Sequence, residues 1–259
     1  MECVSIEYLQ VYDTNGGKKY SLTCQTKGEN PMRKQMYKTV LILSAVSSIL
    51  WAATPATAIL EQATIISGLK EALAISTEKA IAMVGKTDGY FGNKMIKILM
   101  PGKMQMVADA LGKAGMQKQI DEFILSMNRA AEKAAPKAAS IFGDAIKNMN
   151  LEDAQKILNG GDTAATDYFQ LKTSDSIYNE FKPIIAATME EMGTTRLFEN
   201  IMGKAKTLPF MSKTTVDLDD YVTKKATSGL FLMLGQQEKM IRVNPGARST
   251  DLLKKVFAQ

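Results

Sequence analysis

The sequence predicts an all-α protein, with one compact multi-helix domain that follows an N-terminal signal peptide. After residue 58, apolar residues recur every three or four positions along most of the chain, which is the spacing of a helix with one buried face. Glycine, asparagine and proline residues interrupt these apolar stripes, as they do at helix ends. No stretch of this region alternates convincingly between apolar and polar residues, as a half-buried strand would. About 200 residues are enough for a single hydrophobic core.

The first half of the domain contains three apolar stripes of helical spacing. They span residues 65–84, 120–131 and 138–149. Gly85 ends the first stripe, and a connector that contains glycine, asparagine and proline runs from Lys86 to Gly102. Pro136 stops the second stripe, because proline lacks the main-chain N–H that a continuing helix needs.

Helix signals continue in the second half. Asn150 is predicted to cap a helix from Leu151 to Leu158, with two acidic residues in the first turn, where the helix dipole favours carboxylates. The clearest helical face follows Ser174 and contains Pro183, so we expect a kink there or a break near Phe181. Further helices are predicted at residues 195–206, 218–240 and 250–257, with a last turn at residues 244–246.

A segment near the N-terminus has the three parts of a secretory signal in order. A basic patch precedes an uncharged apolar run from Val40 to Ala53, and Ala56-Thr57-Ala58 has the small-x-small pattern of a cleavage site. The apolar run has about fourteen residues where a membrane span needs about twenty, and Pro55 follows it. We therefore expect cleavage after Ala58, no stable membrane span afterwards, and a periplasmic or secreted protein.

These features divide the chain into three segments. Residues 32–58 are the predicted signal peptide, and residues 59–259 are the predicted helical domain. Residues 1–31 are polar and precede a signal that normally works from the very N-terminus. They are explained by a start codon assigned too far upstream, or by a genuine N-terminal extension, and they are left out of the fold prediction.

The predicted mature chain lacks three residue types. It contains no Cys, His or Trp, which excludes Cys and Ser–His nucleophiles, imidazole acid–base chemistry, disulfides, and zinc sites built on Cys or His. Removing residues 1–58 leaves 26 basic and 23 acidic residues, a balance that does not indicate a nucleic-acid partner. No cofactor is predicted.

The densest group of carboxylates is Asp217-Leu218-Asp219-Asp220. Three acids in four residues could supply oxygen ligands to a hard cation such as calcium, although the further ligands and the glycine of known calcium loops are missing. Alternatively, Asp217 caps a helix, and the other two carboxylates lie in its first turn. The cap explains the cluster without a metal and is the interpretation that we favour.

Methionine is frequent in the mature chain. Four of its methionines lie close together in the sequence at positions 95, 100, 104 and 106. Thioethers at this spacing could bind Cu(I), whereas methionine more often fills an apolar core or groove. The second interpretation is favoured, and no metal-ligating residue is predicted.

Two polar segments could line a ligand site. Tyr90 lies between two glycines in a turn that could hold a ligand, or its ring could pack into the core. Arg129 follows an apolar stripe and could bind a carboxylate or phosphate in a bidentate manner, or form an ordinary surface pair with Glu132. Arg248 and Asp251 near the C-terminus have the same two interpretations.

Several segments in the same order resemble a known family. They are DGYFGN (88–93), MNRAAE (127–132), DTAATDYF (162–169), DLDDYVT (217–223), GLF (229–231) and IRVNPGARSTDLLKKVF (241–257). The sequence is similar over residues 61–258 to the bacterial family called domain of unknown function 4197, whose members typically have a secretory signal and one helical domain. Asn244 and Ser249 depart from the family pattern, which usually has an acid and Thr there. The resemblance implies an exported all-α protein and brings no established activity.

The polar residues of the matching segments are the candidate ligand-binding set. They are Tyr90, Asn93, Asn128, Arg129, Asp162, Asp219, Asp220, Arg248 and Asp251. We expect a bacterial cell-envelope protein that binds an apolar or amphipathic ligand, or a protein partner, in a helical groove. Whether the chain is an enzyme stays open, with a non-enzymatic role favoured and no catalytic residue assigned. The alternatives are a carboxylate-based hydrolase of an envelope substrate and a calcium-dependent binding protein.

Overall fold

The computed structural model describes residues 5–12, 18–25, 55–205 and 216–244, in two units, Met1–Leu60 and Glu61–Gln259. The first unit contains two antiparallel strands, β1 (Ser5–Tyr12) and β2 (Lys18–Gln25). The fold prediction did not cover this hairpin. Its sequence signal is Asn15-Gly16-Gly17, a composition that favours hairpin loops, after a segment rich in β-branched and aromatic residues.

From residue 55 onward, every regular element of the described residues is helical, which confirms the all-α prediction. The helices are α1 (Pro55–Gly85), α2 (Gly102–Leu111), α3 (Gln117–Ala134), α4 (Ala138–Lys147), α5 (Leu151–Leu158), α6 (Ala164–Glu191), α7 (Thr194–Ala205) and α8 (Leu218–Val243). The predicted helix at residues 250–257 and the turn at residues 244–246 lie largely or wholly outside the described residues. None of the described helices has the length and the apolar composition needed to cross a membrane.

Local signals set most helix ends where the sequence placed them. Helix α1 ends at Gly85, the connector follows, and α2 begins at Gly102. Asn150 caps α5, because its side-chain oxygen accepts a hydrogen bond from the main-chain N–H of Asp153 at 2.8 Å. The cap supplies a partner to an N–H that the first turn of a helix leaves unpaired.

Helices α3, α6 and α8 form the centre of the core. Each presents a fully buried apolar face to the others, with Phe123 and Met127 on α3, Phe181 on α6 and Leu230 on α8. Phe142 of α4 joins this core through aromatic contacts. Its ring centroid lies 5.0 Å from that of Phe169 and 6.0 Å from that of Phe231. The apolar faces of these helices therefore meet around one core.

Two local features differ from the prediction or were not part of it. The predicted alternative of a helix break near Phe181 is wrong, because α6 continues through Pro183 to Glu191. Phe181 and Ile185, on either side of the proline, are both fully buried, so packing holds the helix in place despite the missing N–H. Helix α2, which was not predicted, joins α3 through a short turn in which Gly115 has a φ of 95°, a conformation that favours glycine.

Candidate functional site

Asn128 fastens the connector to helix α3. Its side chain is fully buried, and its amide oxygen accepts a hydrogen bond from the main-chain N–H of Ile98 at 2.8 Å. The amide nitrogen donates to the main-chain oxygens of Ile98 at 2.8 Å and Ile124 at 2.7 Å. Position 128 follows the apolar face of α3, so the helix itself directs this amide toward the connector. The hydrogen bonds of the amide are thus used within the protein.

Glu132, one turn further along α3, holds the other end of the connector. One oxygen of its buried carboxylate accepts the main-chain N–H groups of Tyr90 at 3.0 Å and Phe91 at 3.1 Å. The other oxygen accepts from Arg129 Nη1 at 2.6 Å, and Arg129 Nη2 reaches Asp88 at 2.7 Å. The Arg129–Glu132 pair expected from the sequence is present, but its glutamate is a buried partner of the main chain rather than a surface group.

Tyr90 is a core residue. It is fully buried, its hydroxyl donates to the main-chain oxygen of Ala226 at 2.6 Å, and its ring lies against Gly229 of α8. Burial raises the pKa of the Tyr90 phenol far above its ordinary value, and the charge of Glu132 raises this pKa further. Nearby, Asn93 donates to the sulfur of Met233 at 3.3 Å. The turn around Tyr90 therefore packs onto the middle of α8.

The Asp217 cluster is a helix cap. The Asp217 carboxylate accepts the main-chain N–H of Asp220 at 2.9 Å, as the favoured interpretation predicted. Asp220 accepts hydrogen bonds from Lys224 and Tyr178, and these lower the pKa of its carboxyl group. Burial, followed by the charge of Asp217, raises the pKa of Asp219. Within the described ranges, no group of three or more His, Cys, Asp or Glu side chains is placed to hold a metal ion.

A second buried glutamate, which the sequence analysis missed, organises the start of α6. Glu238 of α8 accepts the main-chain N–H groups of Ala165 at 2.9 Å and Thr166 at 2.8 Å. Arg242, one turn later, pairs with Glu238 at 2.9 Å and donates to the main-chain oxygen of Ile157 at 2.8 Å. The only sequence signal for this arrangement is a Glu at an otherwise apolar position of an amphipathic helix.

The described members of the candidate set lie in three separate places. Tyr90, Asn93, Asn128 and Arg129 surround the connector. Asp219 and Asp220 lie at the start of α8, whereas Asp162 pairs at 3.3 Å with Lys239 near its end. Asp220 and Lys239 are nineteen residues apart, about 28 Å along a helix, so one small ligand cannot contact both regions. The described members therefore do not line one groove, and the ligand-binding role of the candidate residues stays a prediction.

Arg248 and Asp251 of the candidate set lie outside the described residues. Of the four clustered methionines, Met100 and Met104 are buried in the core, whereas Met95 and Met106 are 62% and 78% exposed. The first two are apolar filler, as the favoured interpretation predicted.

The structure contains an open groove between α6 and α8, with a volume of about 430 Å³, which we call the α6–α8 groove. Phe231, Leu232 and Gly235 of α8 lie along it, and polar side chains, among them Asp167 and Lys239, complete its lining. Most of the groove surface is apolar. The sequence did not predict this groove, because α6 and α8, which line it, are far apart along the chain.

A second depression of about 430 Å³, which we call the α4–α6 pocket, is mainly polar. Asp144 of α4, Asp153 of α5, and Tyr168 and Lys172 of α6 line it. The Tyr168 hydroxyl donates to the main-chain oxygen of Ala145 at 3.2 Å, which fixes the ring at one wall. Burial raises the pKa of the Tyr168 phenol, and the charge of Asp153 adds to this effect.

A protein-family profile matches nearly all of the helical domain. The family is described as a protein of unknown function, DUF4197, and the match covers residues 59–258. The chain belongs to the DUF4197 family. No curated protein and no solved structure is significantly similar to it.

The DUF4197 match includes both buried glutamates, the α6–α8 groove and the α4–α6 pocket. The family carries no known activity that could be assigned to any of them.

Proposed function

We propose that this DUF4197 protein is an exported, non-enzymatic binding protein of the cell envelope, which holds an amphipathic ligand in the α6–α8 groove. The observation that carries the proposal is the groove itself, which combines an apolar surface with charged side chains. Its volume of about 430 Å³ is within the range of small-molecule sites.

The lining of the groove fits a ligand with an apolar body and a polar end. Leu232 is 43% exposed, which places a large apolar side chain against solvent where a ligand would cover it. Asp167 and Lys239 supply opposite charges in the same groove, and the Lys239 ammonium already pairs with Asp162 at 3.3 Å. Contact with Leu232 and the rest of the apolar lining would provide most of the affinity, and the polar groups would orient the ligand.

Gly235 keeps the groove open. A Cβ atom built at this position lies 3.6 Å from Thr166 Oγ1 and 3.7 Å from Thr163 Cγ2, which is ordinary van der Waals contact. A short side chain would therefore fit, whereas a long one would extend into the space of the groove. The absence of a side chain at this point of α8 leaves room for a ligand between the two helices.

Export is supported by the sequence of residues 32–58 and by the extent of the family match. The match begins at Ile59, the first residue after the predicted cleavage site. If the protein is exported, the intact mass of the protein recovered from its cells should correspond to residues 59–259. A mass that includes residues 32–58 would reject the cleavage part of the proposal.

The binding part is tested with a fluorescent apolar probe, N-phenyl-1-naphthylamine, and with a variant that fills the groove. We expect the purified protein to enhance the fluorescence of the probe saturably. Decanoate, an amphipathic competitor, should displace the probe. Gly235→Leu should weaken probe binding about tenfold or more, because the leucine side chain occupies the binding space.

Gly203→Leu is the matched control, because Gly203 is an exposed helical glycine of α7, and a Cβ atom placed on it would have no neighbour within 4 Å among the described residues. Both changes raise helix propensity equally, so only the groove distinguishes them. Equal binding by the two variants, or no saturable binding by the unchanged protein, would refute the proposed function.

A further inference from the structure

The α4–α6 pocket presents groups of opposite charge around one cavity. Asp144 and Asp153 contribute carboxylates from α4 and α5, and Lys172 contributes an ammonium group from α6. Lys172 Nζ lies 6.0 Å from the centroid of the Tyr168 ring, so the ammonium stands beside the aromatic wall of the pocket. This arrangement differs from the α6–α8 groove, whose surface is mostly apolar.

The Asp153 carboxylate is available to a ligand. It is partly buried, and among the described residues it forms no hydrogen bond or salt bridge through its side chain. Its backbone N–H is bonded to Asn150, which fixes residue 153 in the first turn of α5. Within the described part of the chain, the one side-chain partner of Asp144 is Lys147 at 3.4 Å, and both of these side chains are more than two-thirds exposed. An exposed pair of this kind is weak and is readily exchanged for a ligand.

The C-terminal end of α4 adds negative potential near the Asp144 and Asp153 carboxylates. The last carbonyl groups of a helix carry partial negative charge and attract cations. Lys70 of α1 already donates from Nζ to the main-chain oxygen of Lys147 at 3.1 Å, which shows a cation at this helix end. An ammonium group that entered the pocket near Asp144 and Asp153 would meet the same potential.

Lys172 adds a positive charge to the lining of the pocket, beside the Tyr168 ring. Tyr168 and Lys172 are four residues apart on α6 and therefore lie on the same face of the helix. Thr173 and Ser176 extend the lining by another turn, so the pocket follows α6 for about 12 Å. The lining therefore offers groups of both charges, together with polar hydroxyls, to one small ligand.

We propose that the α4–α6 pocket binds a small zwitterion of the peptide class, with its ammonium group held by Asp144 and Asp153 and its carboxylate held by Lys172. Tyr168 and the neighbouring Ile141 form the wall against which the body of the ligand packs. The proposal is independent of the α6–α8 groove and of the amphipathic ligand proposed for it.

The test uses alanyl-alanine and two derivatives that each lack one charge. N-acetyl-alanyl-alanine has no ammonium group, and alanyl-alanine amide has no carboxylate. Isothermal titration with the purified protein should give saturable binding of alanyl-alanine, and each derivative should bind about tenfold more weakly or worse, because one charge-assisted contact is lost.

Variants connect each end of the ligand to its partner. Asp153→Asn should weaken the binding of alanyl-alanine about tenfold and leave the binding of N-acetyl-alanyl-alanine nearly unchanged, because that derivative has no ammonium group. Lys172→Gln should likewise weaken the binding of alanyl-alanine about tenfold and leave the binding of alanyl-alanine amide, which has no carboxylate, nearly unchanged. Asp175→Asn, an exposed change on α6 outside the pocket lining, is the matched control and should not alter binding. Circular dichroism confirms that each variant is folded.

The proposal is overturned if alanyl-alanine shows no saturable binding up to about 10 mM, a range that still detects the weakest specific sites. It is also overturned if Asp153→Asn and Lys172→Gln bind alanyl-alanine within twofold of the unchanged protein. The groove is tested with the naphthylamine probe and Gly235→Leu, and the pocket with alanyl-alanine and the Asp153 and Lys172 variants, so failure at one site can be distinguished from failure at the other.

Discussion

Replacing Asn128 with alanine tests whether the residue fastens the connector or is free to bind a ligand. In the folded protein its amide serves both main-chain polar groups of Ile98 at 2.8 Å, and Ile98 is 1% exposed. Asn128→Ala leaves both of these main-chain groups of Ile98 without a hydrogen-bond partner. Ile124 loses less, because its main-chain oxygen keeps the helical hydrogen bond from residue 128.

The expected loss of stability follows from these contacts. Each buried main-chain group left without a partner costs about 1–3 kcal/mol, so the two groups of Ile98 cost about 2–6 kcal/mol. Alanine has a better helix propensity than asparagine by about 0.5 kcal/mol, which offsets a small part of this cost. We expect Asn128→Ala to lower the free energy of unfolding by about 2–5 kcal/mol.

The assay is urea denaturation followed by circular dichroism at neutral pH. Asn200→Ala is the matched control, because Asn200 is an exposed residue within α7. The control should stay within about 0.5 kcal/mol of the unchanged protein. If Asn128→Ala cost less than about 1 kcal/mol, the hydrogen bonds to Ile98 would not hold the connector, and the assignment of Asn128 to a structural role would be refuted.

Two further predictions concern the contact between the connector and α8. Gly229→Ala should destabilise the protein by about 1–3 kcal/mol, because the new Cβ would lie 2.7 Å from Cε1 of the fixed Tyr90 ring and 3.2 Å from Cβ of Ile96. In the same urea assay, the exposed control Gly203→Ala should be neutral or stabilising. Equal effects of the two changes on the free energy of unfolding would contradict the close contact. Tyr90→Phe should cost about 1 kcal/mol at pH 7 through the lost hydrogen bond to Ala226. Because burial raises the pKa of Tyr90, the folded state keeps the phenol proton above pH 10 while the unfolded state loses it, so the stability of the unchanged protein should fall as the pH rises above about 10. Urea midpoints between pH 9 and pH 11 should therefore fall less steeply in Tyr90→Phe, and parallel curves would show that Tyr90 is not the group responsible.

Helix positions were largely predictable because their signals are local. The cap at Asn150, the stop at Gly85 and the cap at Asp217 each act within one turn of the chain. The alternative of a break near Phe181 was wrong for the opposite reason. The local preference of Pro183 was overridden by the packing of Phe181 and Ile185 in the core, which is a property of the whole fold.

The candidate site was less predictable, because hydrogen-bond partners can be far apart in sequence. Glu132 lies about forty residues from the N–H groups that it accepts, and Glu238 lies about seventy residues from its own. A carboxylate on an apolar helix face indicates that some partner must exist, since a buried charge needs compensation, but it does not identify that partner. For the same reason, the polar residues around Tyr90 looked like ligand contacts in the sequence and serve the main chain in the structure.

The sequence by itself determined that the domain is helical, where most of the helices begin and end, and which classes of chemistry are excluded by the absence of Cys, His and Trp after residue 58. These properties depend on composition and on interactions within a few residues. Only the tertiary structure decided that Asn128 and Glu132 hold the connector, and that two depressions of contrasting chemistry lie beside α6. Those features arise where helices distant in sequence pack together, and the packing is decided by the burial of the whole core rather than by any one segment.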